Sequence, residues 1–408
     1  MDPFTHALTG VVAGQAFIFE KDSIGSPRQR VARTALVLGA VFPDLDLIAN
    51  PFEPYGLGTI HYHRAVTHSV VCLPVFAMLL ATLAVWFCRW RRLERPSWVG
   101  LTALFGAGIG LHILFDLITS FGTMVWSPLS WRYVSWDTTF IVDPVLTLIL
   151  LLPLMLAWIY SRSEKALQRT VFLWLGLSVA ASALVILDRK FQAIAASSGA
   201  GFENPGIPWP GAIWAAALVV LVLGILLGAP AIGRRGLRVA RRKWFVGGMV
   251  VTVIYLGLSA GAHAVALRRV QDFARERGLE VQKIGALPMP PSFLFWSGLI
   301  STPDKVYHSY FSLMGGHAPQ FRDYKQSPRD AAVRQALELP DVQTVLAFFR
   351  FPLILHQQES VSRTRDVGFH DLRFLPQTGK TLPFSYEVEI DQSTGQVLYR
   401  GKARTGPR

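Results

Sequence analysis

Apolar runs of near-spanning length recur along the chain at about 70–88, 99–119, 140–160, 170–187, 212–230 and 245–267. A run of roughly 20 apolar residues rising 1.5 Å per residue matches a hydrocarbon core of about 30 Å, where a helix satisfies its own backbone. The pattern therefore predicts six spanning helices. Two further apolar segments, 6–19 and 34–49, are too short to span and read as tilted or half-spanning helices. With 51% hydrophobic and 16% charged residues, the composition is that of a polytopic membrane protein with a soluble attachment. Beyond residue 268 hydropathy falls and alternation begins, as in Gln343 to Phe351 and Tyr386 to Asp391 before a turn at Ser393-Thr394-Gly395. The expected fold is a helical membrane domain over 1–267, an extended linker over 268–291 that holds Pro288, Pro290 and Pro291, and a small soluble β-rich (α+β) domain over 292–408. One helix is expected in that domain, at 328–339.

Lys and Arg outnumber Asp and Glu by 40 to 27. The excess sits in alternate short loops: Lys21 to Arg33, Arg89 to Arg95, Arg162 to Arg169, and Arg234 to Lys243. The loops between them are poor in Lys and Arg, holding Arg64, Arg132, and Arg189 with Lys190. Cytoplasmic loops accumulate Lys and Arg, so this alternation is read as topology rather than as a nucleic-acid surface. Counting the two short helices as passes keeps it unbroken and places the N-terminus and everything after 268 on the outer face. Residues 1–19 have no basic n-region and read as part of the mature structure. Cys72 and Cys88 lie in or beside one apolar run and give no disulfide framework.

On the same outer face fall His6, Pro43-Asp44-Leu45-Asp46, the stretch His61-Tyr62-His63-Arg64-Ala65-Val66-Thr67-His68-Ser69, and His112 with Asp116. Imidazole is a common metal ligand, and ionisable groups at membrane depth face a cavity or a bundle interior. A His-rich segment can also be an interfacial anchor, and a His–Asp pair can pin two helices together. His112 and Asp116, four apart, share one helix face, with His112 about 10 Å from the helix end. Asp44 and Asp46, two apart, point the same way in extended backbone, so that one could bind metal while the other acts as general base. The mixed nitrogen and oxygen set of His6, Asp44, Asp46, His63, His68, His112 and Asp116 suits zinc, with manganese or iron as alternatives. Asp143-Pro144 opens a helix and fits an N-cap as well as a site. The aromatic loop 120–139 reads as an interfacial belt or a substrate rim.

These motifs resemble a known family. Asp2-Pro3-Phe4-Thr5-His6, Pro43-Asp44-Leu45-Asp46, His63-Arg64-x-x-Thr67-His68-Ser69, His112-x-x-x-Asp116 with Thr119-Ser120-Phe121-Gly122-Thr123, and Asp143-Pro144 are similar to those of the YdjM-like bacterial inner-membrane, metal-dependent hydrolases. Residues Phe293 to Trp296 and Asp371-Leu372-Arg373-Phe374 resemble the soluble domain of longer members. The family is in turn similar to zinc phospholipase C and the zinc single-strand nucleases. The resemblance implies His6, Asp44, Asp46, His68, His112 and Asp116 as ligands of one or two zinc ions, with Asp46, His63, Arg64 and Asp143 in catalytic roles. The relatives' second His-x-x-x-Glu pair has no counterpart in the membrane portion.

The expected activity is hydrolysis of a phosphoester, such as a membrane lipid or lipid-linked phosphate, by metal-activated water in the bacterial inner membrane, with the C-terminal domain on the periplasmic face. No nucleic-acid partner is expected. The alternatives are a non-catalytic metal- or lipid-binding membrane protein whose tail recruits a partner, and a transporter that relays protons or cations.

Overall fold

The computed structural model describes residues 1–18, 26–52, 54–179, 241–290, 292–314, 318–358, 364–374 and 384–403. A helical N-terminal region is followed by a region rich in β-sheet. Helix α1 (Pro3–Ala13) starts at Asp2, whose side chain accepts the Thr5 N–H at 2.9 Å, and it runs on as one π-helical turn, Gly14–Ile18. Helix α2 (Pro27–Val41) begins and ends earlier than the expected 34–49. Pro43 brings no N–H for the carbonyl of Gly39, and the chain tightens into the 3₁₀ segment Phe42–Phe52. Asp44 and Asp46 thus sit on a 3₁₀ turn, not on extended backbone. After a single turn, α3 (Gly58–His61), come α4 (Leu73–Trp90), α5 (Trp98–Leu117), α6 (Pro144–Ile159) and α7 (Ala166–Val179).

Helix α8 (Arg241–Glu276) has 36 residues and is about 54 Å long at 1.5 Å per residue. Among the described residues α4, α5 and α8 are long and apolar enough to cross a membrane, while α6 and α7 are shorter apolar helices. The expected run 212–230 and the end of 170–187 lie outside the described residues. Helix α8 overruns its expected end at 267 because Ala266, Val270 and Ala274, spaced four apart, continue one apolar stripe and pack with Trp296 and Ile300.

Strand β1 (Lys283–Met289) therefore occupies part of the expected linker. It heads an antiparallel sheet in the order β1, β2 (Phe295–Ser301), β3 (Lys305–Ser312), β4 (Arg322–Lys325). Pro288, opposite Trp296, is tolerated because β1 is an edge strand. The second sheet runs β5 (Pro352–Gln358), β6 (Thr364–Asp371), β7 (Ser385–Asp391), β8 (Val397–Lys402), again antiparallel, with Phe369 opposite Tyr386. Between the two sheets in chain order come α9 (Ala331–Leu337) and α10 (Pro340–Phe348). The strand expected over Gln343 to Phe351 is thus mostly helix. Pro340 occupies a first helical turn, and Val342, Val345 and Phe348 recur at helical spacing and are buried against β6 and β7.

The core of the second sheet is not made by the tail alone. Leu57, Ile60 of α3 and Phe121, all from the helical region, are buried in it with Val333, Phe348 and Val388.

Candidate metal centre

Two glycines decide where the centre forms. A Cβ on Gly108 of α5 would lie 2.3 Å from the carbonyl oxygen of Leu36, and one on Gly39 of α2 would lie 2.6 Å from that of Phe105. Helices α2 and α5 therefore meet backbone to backbone, which small residues permit in membrane helices. This approach brings the Ala40 carbonyl within 2.7 Å of His112 Nδ1. A carbonyl can only accept, so Nδ1 carries the proton and Nε2 of a neutral His112 presents a lone pair.

His68 is fixed in the same sense. The Thr67 hydroxyl donates to Asp46 Oδ2 at 2.7 Å, and His68 Nδ1 lies 3.2 Å from that carboxylate oxygen. Nδ1 therefore carries a proton, and in the neutral ring Nε2 is bare. The two Nε2 atoms are 3.0 Å apart. Asp116 Oδ2 is 3.2 Å from Nε2 of His68 and 3.5 Å from that of His112; Asp44 Oδ1 is 3.6 and 3.4 Å from them. Asp44, His68, His112 and Asp116 are all buried, and their ligand atoms lie within 4.8 Å of one another. Asp116 Oδ2 and Asp44 Oδ2 receive no hydrogen bond.

With both imidazoles neutral the four atoms are all acceptors, which is repulsive in a low-dielectric interior, and a cation among them reverses the sign. Metal–ligand distances of 2.0–2.1 Å set tetrahedral edges of about 3.3 Å, close to the 3.0–3.6 Å observed. The residues present fit one divalent ion. His68 registers the same demand for positive charge. Burial opposes its protonation, but hydrogen bonds to Asp116, Asp44 and Asp46 override this and push its pKa up to about 10, so a bound cation would take the place of the proton that His68 Nε2 otherwise holds against the two carboxylates.

Around this set stand the supporting groups. The other oxygen of Asp116, Oδ1, takes Arg64 Nη2 at 2.8 Å, His6 Nε2 at 3.2 Å and the amino group of Met1. Arg64 is buried, has φ +61°, and donates from Nη1 to Thr119 Oγ1 at 2.9 Å and from its backbone N–H to Asp46 Oδ2 at 3.1 Å. Such a left-handed conformation costs a non-glycine residue about 1 kcal/mol or more and persists where surrounding contacts fix it. The His6 ring stacks on His112 at 3.6 Å between centroids. His63 donates through Nδ1 to Asp46 Oδ1 at 2.9 Å. Burial pushes the His63 pKa below the ordinary value, against the pull of Asp46. Asp46, His63 and His68 form a second, adjoining group of metal-ligand type.

The structure thus brings together Asp44, His68, His112 and Asp116, with His6, Asp46, His63 and Arg64 against them. Asp143 is placed differently. Its Oδ1 caps α6 through the N–H groups of Val145 and Leu146 (2.9 and 3.2 Å), and its Oδ2 accepts from Tyr255 Oη at 2.5 Å and from Ser292. Sequence reasoning missed Thr67 and Thr119, although both lie inside the quoted motifs. It also missed Ala40, whose contribution is a backbone carbonyl and leaves no side-chain signal.

A buried His/Asp cluster that fits one cation, set among apolar helices long enough to cross a bilayer, defines a membrane protein with a candidate metal centre. Residues 1–187 match the family model described as YdjM inner membrane protein. No curated protein and no solved structure matches the chain.

Proposed function

We propose that the chain is a multi-pass inner-membrane hydrolase that uses one divalent metal ion, zinc by ligand type, to cleave a lipid or lipid-linked phosphoester at the outer (periplasmic) face. The observation that carries this reading is the convergence of His68 Nε2, His112 Nε2, Asp44 Oδ1 and Asp116 Oδ2, in which each imidazole nitrogen lies 3.0–3.6 Å from the other and from both carboxylate oxygens. A divalent ion held by these residues would supply Lewis acidity to a phosphoryl oxygen and a water nucleophile at neutral pH, provided its coordination opens to a fifth position beyond the four side chains. Of the three carboxylates of Asp44, Asp46 and Asp116, that of Asp116 pairs with the guanidinium of Arg64 while Asp46 takes only its backbone N–H, and a divalent ion would supply further positive charge to the set.

The chain's own residues take distinct parts. Asp46 holds His68 and His63 in fixed tautomers, as carboxylates behind metal-binding imidazoles do. His63, with Nδ1 committed to Asp46, keeps Nε2 to accept or return a proton, and it is the histidine of the cluster least enclosed by protein. Arg64 is spent on Asp116 and Thr119, so it balances ligand charge and orients Asp116.

A lipid substrate is supported by the surroundings. An apolar cavity of about 780 Å³ lies between α2 and α4, and Phe42 and Leu45, on either side of Asp44 in the chain, line it. Leu45, Ile48 and Phe52 are exposed on the segment that carries Asp44 and Asp46. A bilayer is the natural setting for such a rim.

The test is metal analysis of purified protein joined to turnover of phosphoester lipids after chelation and zinc return. One equivalent of metal with zinc-dependent turnover supports the proposal. Metal without turnover on any phosphoester leaves a non-catalytic centre, and a protein that retains no metal removes the reading.

A further inference from the structure

The tail sends three arginines into the loops of the helical region, and one of them is buried against the loop that walls the candidate centre. The Arg373 guanidinium, 1% exposed, donates from Nε to Asp371 Oδ2 at 2.7 Å and from Nη2 to the Phe348 carbonyl at 2.8 Å. Its Nη1 crosses to the helical region and donates to the carbonyls of Ser120 and Phe121 at 3.1 and 3.0 Å. These two residues directly follow Thr119, the hydroxyl partner of Arg64. The Phe121 ring sits between the two parts of the molecule. On one side the Arg64 guanidinium lies 4.7 Å from its centroid and the His63 ring 5.7 Å; on the other, the Phe348 and Phe384 rings lie at 5.1 and 5.7 Å.

A second strut fixes the far end of the same loop. Arg350 makes a two-pronged pair with Asp137 at 2.7 and 2.8 Å, and Asp137 is another non-glycine residue at positive φ, +53°. The third arginine, Arg400, donates to Tyr55 Oη at 2.6 Å.

We propose that the C-terminal domain is a structural cap that sets the geometry of the metal centre, with Arg373 as the positioning residue. The inference rests on the metal reading above. Arg373 holds the Ser120–Phe121 backbone, Phe121 backs Arg64, and Arg64 holds Asp116 Oδ1 so that Oδ2 faces the two imidazoles. A buried guanidinium committed to two foreign carbonyls fixes position, since leaving either carbonyl or cation unpaired is costly. The tail thereby acts on the centre without contributing a ligand to the four-atom set.

The experiment uses the full-length protein in lipid nanodiscs, with Zn²⁺ and Co²⁺ alone as probes. Wild type should bind one equivalent, and the visible spectrum of the Co²⁺ form reports ligand geometry. Arg373→Gln should weaken Zn²⁺ binding about tenfold or more and change the Co²⁺ spectrum, within the range for groups that orient ligands. Arg373→Lys should restore part of both. Phe121→Leu, which keeps an apolar side chain in the tail core and removes the ring from Arg64, should shift the Co²⁺ spectrum in the same direction. A folded Arg373→Gln protein with wild-type spectrum and Zn²⁺ affinity within twofold overturns the proposal. If Arg373→Gln does not fold, an unchanged Phe121→Leu spectrum overturns it and a shifted one supports it. A wild type that binds neither ion fails at the metal reading itself, which is a different result.

Discussion

Nε2 of His68 and Nε2 of His112 face each other at 3.0 Å, each with its Nδ1 committed elsewhere, to Asp46 and to the Ala40 carbonyl respectively. Neither imidazole, when neutral, has a proton to offer the other. The pair is therefore the sharpest point of the centre, and removing either ring should abolish metal retention. His112→Ala and His68→Ala are expected to lose stoichiometric metal by elemental analysis. His6→Ala should keep it with reduced affinity, because His6 contacts Asp116 Oδ1, the oxygen turned away from the set. Full retention in His112→Ala would refute the four-atom centre.

Gly108 transmits helix packing to the same point. In Gly108→Ala the new Cβ would stand 2.3 Å from Leu36 O and 2.7 Å from Ala40 N, so α2 must move, and with it the carbonyl that orients His112. Overpacking of this kind costs about 1–3 kcal/mol. Metal affinity should fall together with melting temperature. Normal stability with normal metal binding would show that α2 and α5 are not held at this contact.

Asp143 is expected to behave as a brace. Asp143→Ala removes a helix cap and strands the hydroxyls of Tyr255 and Ser292, a loss of about 1–3 kcal/mol. Thermal stability should drop while one equivalent of metal is retained. Lost turnover at unchanged stability would instead give Asp143 the catalytic role that its motif implies.

Acid sensitivity of the tail should trace to His308 and His370. Burial lowers the His308 pKa from 6.5 to about 3 and that of His370 to about 4. Between those values and 6.5 the unfolded chain binds protons that the folded one excludes, so stability is full above about pH 6.5 and is lost as pH falls toward 3. His308→Gln keeps a polar group against Ser297 and should flatten this slope in urea titrations monitored by Trp fluorescence. An unchanged slope would mean that His308 is not excluded from protonation in the fold.

Much of the architecture is legible from residue order because it follows from solvent. Apolar runs of about 20 residues, such as those that become α4 and α5, must be helices in hydrocarbon, and the alternation at Tyr386 to Asp391 becomes β7 with one face buried. Local chemistry likewise marks helix starts at Asp2, Ser97 and Asp143, where a side-chain oxygen meets free N–H groups. What misled was periodicity read without its partners. Gln343 to Phe351 looks alternating until Pro340 and the buried triplet Val342, Val345 and Phe348 are placed against β6 and β7, and the apparent linker after 267 is helix because Val270 and Ala274 have a sheet to cover.

Residue order alone singles out the candidates His6, Asp44, Asp46, His63, His68, His112 and Asp116, because ionisable side chains beside membrane-length runs are costly without partners. Which donor serves which purpose was decided only in three dimensions. Asp44 and Asp46 are two residues apart, yet one faces the bare Nε2 atoms and the other the protonated Nδ1 of His68, because a 3₁₀ turn sends them to opposite sides of one ring. The carbonyl of Ala40, the Gly39–Gly108 contact and the Arg373–Phe121 link join residues far apart in the chain through backbone atoms or close approach. Backbone groups are the same at every position, so only packing can select which of them acts.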